Sequence, residues 1–199
     1  MPKYREIFIK KDARIIIWKI TETEDELADL IKTTAFLEEV KSRKSLTSRK
    51  QFLATRIILE QEGIEKDLVK DENGKPKLTN HHISITHDTD YVGVMISNKD
   101  CGIDLQSISE KVKRVQHKFI DEDDLQLADS ELDSLTISWC IKEALYKIHG
   151  DPMVYFKEHL RIVKKNGSII LSRILHPDYV KDVTLEIQKI DELYLTYTI

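Results

Sequence analysis

Trp139-Cys140-Ile141-Lys142-Glu143-Ala144-Leu145-Tyr146-Lys147 decides how this chain is read, because its apolar residues recur at helical spacing. At 100° per residue, Ile137, Ile141, Ala144, Leu145 and Ile148 form one apolar stripe, whereas Trp139, Glu143 and Tyr146 gather roughly opposite it. Glu143 therefore points away from that core. A Trp on the far face implies a second packed layer, which puts the carboxylate at a seam between two units, where ligand sites tend to form. Upstream, Gly102-Ile103-Asp104-Leu105-Gln106 alternates apolar and polar residues like a strand, so Asp104 and Gln106 share a face. Two strand rises, roughly 6.6 Å, separate them. With Glu143 supplied from the helix, these oxygens can converge on one hard cation, and oxygen ligands with retained waters describe magnesium. An exposed strand Asp and an i,i+4 Glu143–Lys147 pair account for the same residues without a metal.

A chain of 199 residues buries roughly 70% of its unfolded surface, enough for a core without staples. One domain or two tightly packed lobes both fit. Cys101 and Cys140 lie inside apolar runs without metal-ligand spacing, as buried, reduced thiols of a cytoplasmic protein do. The N-terminus lacks the apolar core of a signal peptide, and no apolar run nears the roughly 20 residues of a membrane span. A soluble, cytoplasmic protein without membrane partners is expected. A net charge of −4 with 33% charged residues argues against general nucleic-acid binding, whose affinity rests on phosphate neutralisation.

Basic residues are instead concentrated locally. Lys41, Arg43, Lys44, Arg49, Lys50 and Arg56 share one segment, and Arg49, Phe52, Arg56 and Leu59 fall on a single helical face. Two guanidinium groups presented together suit bidentate capture of a phosphate, although a solvated basic face has the same pattern. In His82-Ile83-Ser84-Ile85-Thr86-His87-Asp88, alternation turns Ile83 and Ile85 inward and Ser84 and Thr86 outward, with His87 at the strand's end. A hydroxyl and an imidazole there are further candidates for phosphate binding. Lys75, on the turn Gly74-Lys75-Pro76, is presented by a backbone that Pro stiffens.

Hydrophobic periodicity predicts strands at Ile7–Ile9 and Ile15–Ile20, helices at Asp25–Ile31, Thr34–Val40 and Thr47–Glu62, then strands at His82–Thr86, Tyr91–Ser97 and Cys101–Leu105. Helices at Glu110–Phe119, Asp121–Leu127 and Asp133–His149 follow, and strands at Leu160–Lys164, Ser168–Ile174, Val180–Ile187 and Leu193–Thr198 close the chain. Asn73-Gly74 and Asn166-Gly167 are turn signals. The recurring helix-then-hairpin order predicts an α+β fold in two similar halves, 1–101 and 102–199, each with antiparallel strands packed on helices.

In order, Arg49-x-x-Phe52-Leu-Ala-x-Arg56, Gly74-Lys75-Pro76, Ile83-Ser-Ile-Thr86-His87, Gly102-Ile-Asp104-x-Gln106, Lys118-Phe119-Ile-Asp121 and Trp139-x-x-Lys142-Glu143-Ala-x-x-Lys147 resemble the 4′-phosphopantetheinyl transferase superfamily, and most closely its two-halved, surfactin-synthetase-activating type. The resemblance covers about residues 45 to 150. It implies a monomeric pseudo-dimer of α+β halves that binds coenzyme A and Mg2+ in the cleft between them. The implied reaction moves 4′-phosphopantetheine from coenzyme A to a serine of an apo acyl or peptidyl carrier protein and releases 3′,5′-ADP, as in fatty acid biosynthesis or a secondary pathway. By the same resemblance, Asp104, Glu143 and Gln106 hold the metal, and Lys142 and Lys147 stabilise phosphate oxygens. Arg49, Arg56, Lys75, Thr86 and His87 are implied to hold the coenzyme.

Three positions depart from the family pattern. Gln106 stands where Glu is common and lowers the charge offered to a cation. Thr86-His87-Asp88 adds an acid beside the imidazole, which favours its protonated form if the two are close. Asp124 replaces a Glu and is one candidate general base, beside Glu143 and a metal-bound water. Lys111, Lys113, Arg114 and Lys118 are candidates for docking an acidic carrier protein. Two rival classes use overlapping residues: a magnesium-dependent phosphoesterase or nuclease, and a non-catalytic relative that binds coenzyme A or a carrier protein.

Overall fold

The computed structural model describes residues 4–121 and 126–199. The fold is α+β, and the strand pairings among the described residues are all antiparallel. A four-stranded sheet has the order β1-β2-β6-β5, formed by β1 (Arg5–Ile9), β2 (Ala13–Lys19), β5 (His82–Asp88) and β6 (Tyr91–Ser97). A five-stranded sheet has the order β7-β11-β10-β9-β8, formed by β7 (Ile103–Ser107), β8 (Leu160–Asn166), β9 (Ile169–His176), β10 (Tyr179–Ile190) and β11 (Leu193–Thr198). Between them in sequence, β3 (Val69–Lys70) and β4 (Pro76–Lys77) make a small ribbon around Asn73-Gly74, where Gly74 takes φ 81°. That positive φ is why the turn carries a glycine.

Helices α1 (Glu24–Leu30), α2 (Thr34–Glu39) and α3 (Leu46–Glu62) serve the first sheet. Ser45 caps α3 by accepting the Ser48 N–H, and Gly63 closes it at φ 67°. Ile16, Trp18 and Ile20 meet Phe52, Leu53, Ile57 and Ile58 of α3 in one core, while Ile15 and Ile17 enter another. Both faces of β2 are thus buried, which explains why Ile15-Ile16-Ile17-Trp18 is apolar without alternation. The second core lies between the sheets and joins Ile15, Ile17 and Met95 to Ile103, Leu105, Leu193, Leu195 and Tyr197.

In the second half, α5 (Glu131–His149) covers the five-stranded sheet through Ile137, Ile141, Ala144, Leu145 and Ile148, the predicted stripe. Trp139 lies on the other side, edge-on to Phe119 at 5.1 Å and near Phe156 at 5.3 Å. The second layer it implied is built from α4 (Lys111–Val115), the 3-10 turn Gln116–Lys118 and α6 (Phe156–His159). The expected single helix over 110–119 is therefore shorter and ends in a tighter turn. Of the expected helix over 121–127, Asp121, Gln126 and Leu127 are not helical and the other residues, Asp124 included, lie outside the described ones. Cys101 and Cys140 are buried and free, as expected.

The two sheets join by an arrangement that periodicity alone does not foresee. Strands β5 and β7 are edges, and β5 offers side chains where a neighbouring strand would offer carbonyls. The Ile103 N–H donates to Ser84 Oγ at 3.1 Å, the Leu105 N–H to Thr86 Oγ1 at 3.1 Å, and the Ser107 N–H to the Asp88 carboxylate. Residues 84, 86 and 88 share one strand face, so three alternate side chains satisfy three edge donors. Ser84 and Thr86 are buried. The expectation that they face solvent is corrected: this β5 face is covered by β7.

Candidate active site

The seam places β7, β5 and α5 around one small cavity of about 300 Å3, lined by Asp104, Gln106, Glu143, Lys147, His87 and Thr86, with Trp139 beside them. Alternation on β7 delivers Asp104 and Gln106, and α5 delivers Glu143 and, one turn later, Lys147. Asp104 is buried. Its Oδ1 accepts from Lys147 Nζ at 2.7 Å and from Thr86 Oγ1 at 2.9 Å, while its Oδ2 is buried without a hydrogen-bond partner. Lys147 also donates to the Ile103 carbonyl at 3.0 Å. Burial raises the Asp104 carboxyl, against the pull of Lys147. Burial, and then the charge of Asp104, push Glu143 up to about 7. A buried carboxylate with one oxygen left unsatisfied, beside a second acid whose proton affinity it raises, fits a divalent oxygen-seeking cation.

Glu143 makes a stability prediction. Its carboxyl rises from 4.5 to about 7 on folding, so the metal-free folded protein keeps a proton that the unfolded chain releases. The stability contribution of this group is present below pH 4.5 and is lost as pH rises through about 7. Glu143→Gln, which never ionises, should gain on the parent by up to about 3 kcal/mol between pH 5 and pH 8. Urea unfolding in chelator at both pH values measures this. A gap between variant and parent that does not change with pH rules it out.

A larger cavity of about 380 Å3 adjoins the first and shares Ile85, His87 and Lys147 with it. Arg43, Arg56, Lys70 and Lys75 line it together with Phe52 and Tyr146, and no carboxylate stands among the described lining residues. Arg43 and Arg56 both stack on Phe52, at 4.4 and 4.7 Å from its ring centre, and the Nε of each is buried without a partner. An elongated anion with an apolar part fits this basic trough and reaches the acidic cavity at its end.

Several expected positions are corrected. Arg49 does not line the cleft: its Nε donates to the Glu24 carboxylate at 2.8 and 2.9 Å, and its Nη1 to the carbonyls of Arg43 and Lys44. The partner of Arg56 in the cleft is Arg43, which sits after a 3-10 turn, outside α3, where helical spacing gives no signal. Lys142 is fully buried and its ammonium donates to the Phe119 carbonyl, away from both cavities. Next to Glu143 in sequence, it is rotated by about 100° on the helix and fastens α5 to the segment before Asp121. The Thr86 hydroxyl is taken up by Asp104 and the Leu105 N–H rather than offered to a phosphate. Lys75 lines the larger cavity but gives its ammonium to the Ile148 carbonyl at 2.5 Å. His87 lines both cavities, where burial and then Lys147 lower its proton affinity. Asp88 is engaged by the Ser107 N–H.

Fold and site together define an α+β protein of two abutting sheets, with paired carboxylates at the seam and a basic trough leading to them. Residues 100–198 match the family model of the 4′-phosphopantetheinyl transferase superfamily. The second half of the chain is thus similar to this superfamily, a match that supports a transferase of the phosphopantetheinyl type. The match spans the strand of Asp104 and the helix of Glu143 and Lys147, whereas Arg43, Arg56, Lys75 and His87 precede it. No curated protein matches the chain. Among the described residues, no helix is long and apolar enough to cross a membrane.

Proposed function

We propose that this protein transfers 4′-phosphopantetheine from coenzyme A to a serine hydroxyl of an apo acyl or peptidyl carrier protein, with Mg2+, releasing 3′,5′-ADP. The observation that carries the reading is the continuity of the basic trough with the carboxylate cavity through His87 and Lys147. A coenzyme has the matching order of parts: an anionic adenosine end, then a pyrophosphate. Arg43, Arg56 and Lys70 neutralise the adenosine phosphate, and Phe52 and Tyr146 supply apolar wall for the base. Asp104 and Glu143 hold the cation, and Gln106 adds a neutral oxygen.

When bound, the cation supplies positive charge where charge gathers on the pyrophosphate oxygens. Lys147 and His87 stand at the passage between the cavities and steady the same phosphate group, so that positioning contributes much of the catalysis. Thr86 acts through Asp104, fixing its carboxylate by one hydrogen bond. Burial of the cleft walls limits competing attack by water. The two halves, 1–101 and 102–199, are read as the arms of a pseudo-dimer. Exposed Lys111, Arg114 and Lys118 offer a basic face to an acidic carrier, and Lys113 pairs with Glu110 and Glu131.

Incubation with coenzyme A, Mg2+ and an apo carrier protein, followed by intact-mass measurement, tests this. The expected result is a carrier heavier by one phosphopantetheinyl group and one equivalent of 3′,5′-ADP. Cleavage of coenzyme A with an unchanged carrier would support the phosphoesterase reading instead. Binding of the coenzyme without reaction across acyl and peptidyl carriers would support a non-catalytic one.

A further inference from the structure

Away from the carboxylate pair, His149, Asp151 and His176 bring one ligand atom each to within 4.8 Å of one another. His176 Nε2 lies 3.3 Å and His149 Nε2 3.5 Å from Asp151 Oδ2. A tetrahedral ion with bonds of about 2.0–2.1 Å keeps its donors about 3.3–3.4 Å apart, so two edges of such a site already have nearly the right length. His149 Nε2 is buried without a hydrogen-bond partner, and the His176 side chain is only 8% exposed. Asp151 is held for the task, since its Oδ1 accepts the Met153 N–H at 2.8 Å and leaves Oδ2 turned to the two rings.

We propose that His149, Asp151 and His176 form a second metal site, suited to a borderline divalent ion such as Zn2+, that clamps the end of α5 to the β9–β10 hairpin. Two imidazoles and a carboxylate select such an ion over Mg2+, which prefers the all-oxygen set around Asp104. His149 lies six residues beyond Glu143, about 9 Å along the helix axis, so the two sites are separate. The rings are preset: His176 stacks on Tyr179 at 4.7 Å, and His149 meets His176 edge-on at 4.6 Å. Metal binding through His176 Nε2 requires the proton on Nδ1. That atom now accepts the Asp178 N–H at 3.1 Å, and the Asp178 carboxylate, 3.7 Å away, is placed to receive the proton instead.

The clamp has a mechanical meaning. The helix that ends at His149 carries Glu143 and Lys147, and Lys75 of the first half already grips its last turn at the Ile148 carbonyl. An ion at His149 would fasten the same turn to β9 and thereby fix where the two cleft side chains stand. The site does not depend on the transferase reading, and its test needs no substrate.

Full-length protein stripped with chelator and titrated with Zn2+ should bind one equivalent, measured by calorimetry and elemental analysis. Asp104→Asn/Glu143→Gln should retain that equivalent. His149→Gln/His176→Gln should lose it, with the fold verified by its denaturation midpoint, and Asp151→Asn guards against collapse of the double variant by weakening Zn2+ at least tenfold. Co2+ should give the intense visible bands of a tetrahedral site in the parent and not in the His double variant. Failure of the parent to bind Zn2+, unchanged binding in folded His149→Gln/His176→Gln, or loss of the equivalent in Asp104→Asn/Glu143→Gln overturns the proposal.

Discussion

Asp104→Asn and Glu143→Gln should each slow phosphopantetheinyl transfer by roughly a thousandfold or more, because losing charge stabilisation by a cation costs several kcal/mol of barrier. The reason lies in the cavity. Asp104 offers one oxygen already shared by Lys147 and Thr86 and a second that is buried and unsatisfied, and Glu143 faces it as the other acid. Removing either charge leaves Gln106 and one carboxylate, a set on which Mg2+ is held mainly by its own waters. Both variants are close in size to the parent side chains, so the circular dichroism spectrum should not change. Lys147 gives the contrast. Lys147→Met should lower the rate without abolishing the Mg2+ dependence, since it removes an ammonium and no metal ligand. The measurement is carrier mass against time over a range of Mg2+ concentrations. Undiminished turnover of Glu143→Gln, or of the parent in chelator, sinks the metal-dependent reading.

What the sequence made legible, and what it hid, can be traced to single residues. The faces of α5 and β7 follow from periods of 3.6 and 2, and the pairing of Asp104 with Glu143 needs only that those two elements meet at a seam. They do, at one cavity. Periodicity says which way a side chain leaves its own element, but not what it finds there. Arg49 and Arg56 obey the same spacing and each meets a carboxylate, Glu24 of α1 for the first and Glu39 of α2 for the second, yet only Arg56 also lines the cleft. Lys142 and Lys147 were both plausible phosphate ligands, and only packing against Phe119 removes Lys142 from the cleft. Thr86 departs from its pattern for a further reason. A polar residue on a strand face normally signals solvent, but here that face serves the backbone of another strand. The turns were the easiest part, since Gly63, Gly74, Gly150 and Gly167 all take positive φ.

The largest effect on stability is expected at Gly102, which has an ordinary backbone conformation and no turn to make. Its role is spatial. A Cβ at this position would sit inside the van der Waals envelope of the Ala144 carbonyl oxygen, 2.9 Å from that carbonyl's carbon and 3.0 Å from Ile148 Cγ1. The obstacle is helix backbone, which cannot swing aside as the end of a flexible chain can. Gly102 is also pinned from the other side, because its carbonyl accepts the Thr198 N–H at 3.1 Å. Overpacking of a well-packed core commonly costs 1–3 kcal/mol, and a clash between two backbones belongs at or above the top of that range. Gly102→Ala should therefore lose about 3 kcal/mol or more in urea unfolding. Any folded fraction should show a second consequence, since the strand that starts here carries Asp104 and the helix it touches carries Glu143. Forcing α5 off β7 separates the two carboxylates, so the Mg2+ concentration for half-maximal rate should rise in the protein that remains folded. Ala144→Gly is the control: it removes a methyl group but leaves the carbonyl in place, and paired with Gly102→Ala it should not rescue stability. Rescue by Ala144→Gly, or a Gly102→Ala protein as stable as the parent, would show that β7 and α5 have room to part, and that the seam does not set the distance between the two acids.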